Sequence, residues 1–112
     1  MSAESVEKLP AVERSRGRLI CRFNYQKAEL AGDDEPVYGY RFDWVAIAPP
    51  LDRARLIDAI IETRYSKADE LAKINNREVD AKGMSEYDDY QEFRIQAKKW
   101  ADTVMAEADG GL

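Results

Sequence analysis

The sequence predicts an α+β fold: an N-terminal antiparallel β-hairpin followed by three helices, the last of them long. Three observations lead there. Apolar residues alternate at period two in the stretches after Arg18 and after Val37. In the second half of the chain they recur instead at steps of three and four. Ser and Asp residues suited to helix caps, together with a Pro-Pro break, mark the joints between these stretches.

The first 17 residues mix Glu, Lys, Arg and Ser around Pro10 without a sustained apolar period, so residues 1–17 are predicted to be a flexible tail. In Arg18–Tyr25, Leu19, Cys21, Phe23 and Tyr25 fall on one side, and Arg18, Arg22 and Asn24 on the other, as in a half-buried strand. A turn is expected over Ala31-Gly32-Asp33-Asp34-Glu35-Pro36. The second strand, Val37–Ile47, places Tyr38, Tyr40, Phe42 and Trp44 on one face. After Trp44 the apolar positions shift to Val45 and Ile47, which calls for a bulge or for cover on both faces.

Pro49-Pro50 ends that strand. Asp52 is placed to cap a helix, with Leu51 and Leu56 as its hydrophobic staple. Leu56, Ile57, Ile60 and Ile61 form an apolar stripe, with Arg53, Asp58 and Glu62 outside, and the helix is expected to end near Tyr65. Ser66-Lys67-Ala68-Asp69 is a capping box for a second helix, whose narrow apolar face is Leu71 and Ile74. Arg77 to Met84 is expected to be a loop, and the box Ser85-Glu86-Tyr87-Asp88 to open the long third helix. Along it Tyr90, Phe93, Ala97, Trp100, Ala101, Val104 and Ala108 share a face, and Gly110-Gly111 is expected to end it. The organisation predicted is therefore one α+β domain over residues 18–109, with tails at 1–17 and 110–112.

Composition narrows the chemistry. The 112 residues are 45% hydrophobic and 35% charged, a globular balance. No run approaches the roughly 18 apolar residues of a membrane span, and the first residues lack the basic and apolar regions of a signal peptide. A cytoplasmic protein or a virion component is expected. Cys21 is single and sits in an alternating apolar run, as a buried structural thiol would. The net charge of −5 opposes sequence-independent nucleic-acid binding, and no nucleic-acid partner is expected although Arg18, Arg22 and Arg41 interleave with aromatic residues.

Histidine is absent, which removes Ser-His-Asp and Cys-His catalysis and most zinc-site designs. No Gly-rich phosphate loop is present. Gly32-Asp33-Asp34-Glu35 lacks the spacing of a calcium loop and is expected to be a solvated turn. Asp88, Asp89 and Glu92 are expected to be solvent-facing acids in the first turns of the last helix. The expectation is a non-enzyme without cofactor or metal, working through a protein partner or self-association. The residues expected to make such contacts are Tyr90, Phe93, Ala97, Trp100 and Val104 on the long helix, and Tyr38 and Tyr40 on the second strand. An alternative is a small regulatory or inhibitor-type module that turns its acidic helix toward a basic partner.

The series Phe42-Asp43-Trp44-Val45, Leu56-Ile57-Asp58-Ala59-Ile60-Ile61-Glu62-Thr63-Arg64-Tyr65-Ser66, Glu70-Leu71-Ala72-Lys73-Ile74-Asn75-Asn76 and Glu86-Tyr87-Asp88-Asp89-Tyr90, with Ala97-Lys98 downstream, resembles small prophage-encoded proteins of unknown function from gut bacteria. The likeness runs from about Tyr40 to Ala101 and is one of pattern. It implies an accessory, protein-binding role in phage structure or assembly, with no catalytic residue to carry over.

Overall fold

Arg18–Leu30 and Val37–Ile47 pair antiparallel as the central hairpin of a four-stranded sheet, and three helices follow. This is a computed structural model that describes residues 1–30 and 35–111, with side chains as far as Ala108. Residues 31–34, the greater part of the turn expected over Ala31–Pro36 and of the acidic cluster Gly32–Glu35, lie outside the described residues, as does Leu112.

The segment expected to be a flexible tail supplies two strands, β1 (Ser2–Ser5) and β2 (Val12–Ser15). With β3 (Arg18–Leu30) and β4 (Val37–Ile47) the sheet order is β1-β4-β3-β2, all antiparallel. These strands are too short and polar to show a period, and they exist because the edges of the central hairpin offer them backbone partners. β2 joins β3 through the two-residue turn Arg16-Gly17, with φ of 51° and 77°, the geometry of a type I′ hairpin turn. The usual signal for such a turn is Asn-Gly, and an arginine in the left-handed position conceals it.

β1 and β2 lie at opposite edges, so residues 6–11 form a strap across the central pair. Its anchors are specific. The Tyr25 hydroxyl donates to the Leu9 carbonyl (2.9 Å). The Arg22 guanidinium donates to the Pro10 carbonyl (3.0 Å) and to Glu13 Oε2 (2.6 Å). Gly39 is required where the strap begins, because a Cβ there would meet the Ser5 carbonyl oxygen and lie 2.9 Å from Val6 Cα.

The register slips once, between Phe23 and Gln26, where Asn24 and Tyr25 face the single residue Phe42. Asn24 adopts φ of 55° at this bulge, and its amide donates to Asp43 Oδ2 (3.0 Å). No bulge follows Trp44: β4 is continuous there, so Val45 and Ile47 take the face opposite Trp44, and the one irregularity lies in β3 opposite Phe42.

The register puts Leu19 opposite Ile47 and Cys21 opposite Val45, on the face that the helices cover. α1 (Arg53–Glu62) is capped by Asp52, whose carboxylate accepts from Arg55 N (3.1 Å), and it buries Leu56, Ile57, Ile60 and Ile61. α2 (Lys67–Asn76) has the expected capping box but buries no residue. Its expected apolar face is not used as such, since Ile74 is half-buried while Leu71 is 61% exposed. Polar contacts hold α2 to the next helix: the Tyr90 hydroxyl donates to Glu70 Oε1 (2.9 Å), and Lys73 to Glu86 Oε2 (3.1 Å).

α3 (Ala81–Gly111) begins earlier than the box at Ser85 predicts. Asp80 caps it instead, accepting from Gly83 N (2.7 Å), and residues 81–84 are helical. Gly83 is needed because a side chain there would strike the Asn76 carbonyl at the end of α2. The helix also takes in Gly110 and Gly111, which were expected to stop it. Each glycine costs about 1 kcal/mol against alanine, which a helix this long absorbs in its last turn.

Candidate protein-interaction site

Five of the seven residues predicted to make contacts lie on α3, and there the structure corrects the expectation. Tyr90 is 2% exposed, Ala97 0% and Val104 1%, all within the core. Phe93 and Trp100 are half-buried against it. Trp100 packs on Phe23 at 5.1 Å between ring centres and edge-on to Phe93 at 6.1 Å. Tyr90 stands edge-on to Tyr65 at 5.2 Å. The stripe is apolar because the sheet and α1 need a cover. Tyr38 and Tyr40 remain outside: Tyr38 is 70% exposed and Tyr40 half-buried.

Those two tyrosines alternate with Val45 and Ile47, so they belong to the opposite face of the sheet. That face carries no helix. Trp44 stands on it, close to Ile20, Ala3, Phe42 and Arg22 around a shallow hollow of about 210 Å³. Phe42 is covered there, with the Tyr25 ring 5.8 Å and the Arg22 guanidinium 5.7 Å from it. Arg22 is itself buried and neutralised by Glu13, so the middle of the face presents aromatic and aliphatic groups without a free charge among the described residues. A face of this kind suits a protein partner better than a nucleic-acid phosphate backbone. Arg41 alternates with Tyr40 and Phe42 and so belongs to the other face, where it lies 3.8 Å from Glu4.

A second concavity, a cleft of about 450 Å³, opens between the β2–β3 hairpin and the last turns of α3. Pro10, Val12, Leu19, Leu51 and Ala108 make its apolar lining, and Arg14 and Glu107 are its charged groups. No pattern in residue order points to it, because four separate segments converge to make it.

The displaced pKa values describe a structural chemistry. Burial pushes the Cys21 thiol up to about 11, so it stays protonated at neutral pH. Burial, and after it the negative charge of Glu107, raises Tyr25 to about 12. The backbone and hydroxyl of Ser66 hold Asp69 below the usual carboxylate range. The hydrogen bond from Arg53 (2.6 Å) does the same for Asp102. A general acid needs the opposite displacement. Asp88, Asp89 and Glu92 are exposed on α3, as expected, but because the helix starts at Ala81 they lie beyond its first turn, where no acid stands. Among the described residues no three His, Cys, Asp or Glu side chains gather as metal ligands, and no helix is long and apolar enough to cross a membrane.

No protein-family model, no curated protein and no solved structure matches this chain.

Proposed function

We propose that this chain is a non-enzymatic accessory protein of phage or prophage origin, acting in structure or assembly through protein–protein contacts, in the cytoplasm or within the virion. The observation that carries the reading is the helix-free sheet face. It holds Trp44, Ile20, Ala46 and Tyr40 half-buried on a four-stranded sheet that has a helical layer on one side only. A sheet with one apolar face still open is half of a layered structure, and a second protein surface completes it. The phage assignment rests on the pattern from Tyr40 to Ala101.

The test is to follow a tagged copy through phage assembly in a lysogen that encodes it. Recovery in particles or assembly intermediates, lost on Trp44→Ser with the fold intact, is the expected result. Its absence from every particle and intermediate overturns the reading.

The exposure of Asp88, Asp89 and Glu92 favours a second reading, a regulatory or inhibitor-type module that docks its acidic helix on a basic partner. Such binding weakens with salt and is lost on charge reversal at these three positions. The sheet-face reading predicts no effect from that reversal.

A further inference from the structure

The two ends of α3 carry shapes and charges that answer each other. At its start, the turn from α2 presents Val79, which at 71% is the most exposed of the large hydrophobic side chains described. Exposed Glu78 and Asp80 flank it, and exposed Lys82 follows on the first turn of α3. At the other end, Glu107 and Ala108 line the apolar cleft, with Arg14 on the hairpin side. Among the described residues, neither Arg14, Glu107, Glu78 nor Lys82 takes part in an ion pair. From Ala81 to Ala108 the helix rises by about 40 Å at 1.5 Å per residue. A knob and a cleft therefore sit at opposite ends of one rigid rod.

We infer that the α2–α3 turn of one copy docks in the cleft of the next. Val79 enters the space lined by Leu19, Leu51 and Ala108, Glu78 meets Arg14, and Lys82 meets Glu107. Charge complementarity selects this occupant: Glu78 beside the knob and Lys82 three residues beyond it are opposite in sign to Arg14 and Glu107 at the cleft, while Asp80 is held by the Gly83 amide. The contact is heterologous: each copy offers one knob and one cleft, so copies add head to tail into a ring or an open chain. The inference deepens the assembly reading and rests on it, while using a surface separate from the sheet face.

The test is sedimentation velocity on the full chain, over a concentration series reaching the millimolar range and at low and high salt. The expected result is mass that grows with concentration and falls with salt. Val79→Ser, at an exposed site, weakens association by about tenfold or more, as loss of a buried valine contact should. Arg14→Glu alone and Glu78→Arg alone each abolish growth, and an equimolar mixture of the two variants restores it, since each supplies the contact the other lacks. Circular dichroism confirms that the variants fold. A monomer at every concentration overturns the inference, and so does an oligomer indifferent to these changes. If either result comes from a chain still recovered in phage particles, the head-to-tail contact fails and the assembly reading stands.

Discussion

α1 and α2 are helices of the same length, 10 residues, each opened by a side-chain cap, yet they stand differently in the molecule. α1 buries four aliphatic side chains between the sheet and α3. Each such burial is worth roughly 1.5–3 kcal/mol. α2 has the better local signals, with a complete capping box, acids in its first turn and Lys73 in its last, and it buries nothing. It is held by the Tyr90–Glu70 and Lys73–Glu86 contacts and by Lys67, which lies 3.4 Å from Glu70 and 3.9 Å from both Asp58 and Glu62. Local signals decide whether a helix forms, and burial decides how much of the fold depends on it.

The largest expected effect is at Ile60, which is 0% exposed. Ile60→Ala should destabilise the whole domain by about 2–5 kcal/mol in urea unfolding, transfer loss and residual cavity together. A loss below about 1 kcal/mol would mean the layer relaxes around the gap, and the contrast between the helices would fail. Next is Tyr90→Phe, which keeps the ring in the core and removes the bond to Glu70. It should cost about 1–2 kcal/mol, with hydrogen exchange rising in α2 before α1.

Ser66→Ala removes the cap of α2 and should cost about 1 kcal/mol, confined to that helix. Acid does the same by another route. The pKa of Asp69 in the folded chain lies below its ordinary 3.8 because the Ser66 backbone and hydroxyl hold the ionised form. The stability it contributes is complete above the ordinary value and is lost as pH falls through the lowered one. Exchange in α2 should therefore quicken on acidification past that range before α1 responds, and simultaneous loss of both helices would count against independent fraying. The smallest effect is expected from Leu71→Ala. That leucine is 61% exposed, so stability should change by no more than about 0.5 kcal/mol. A larger loss would show that α2 is packed in solution as its sequence suggests.

The same contrast runs through what could be read from residue order. The central hairpin, the caps at Asp52 and Ser66 and the inner stripes of α1 and α3 were legible, because each follows from nearest-neighbour chemistry repeated at a fixed period. The α3 stripe was also misassigned. Tyr90, Ala97 and Val104 satisfy the period whether the cover is another chain or this chain's own sheet, and only tertiary packing separates the two. The start of α3 was missed because two caps compete five residues apart in the sequence, at Asp80 and at Ser85, and the approach of Asn76 to Gly83 favours the earlier one.

Residue order was enough for the fold class, because period and capping are local and each element declares itself within a few turns. It could not place β1, β2 or the strap between them, whose polar residues form strands only where β3 and β4 already present open edges. Nor could it say which face of β4 the helices would take. Tyr38, Tyr40, Phe42 and Trp44 are the more conspicuous row, yet the helices cover Val45 and Ile47, opposite Cys21 and Leu19. The row that completes a continuous aliphatic layer with α1 and α3 goes inside, and that depends on all of the elements at once.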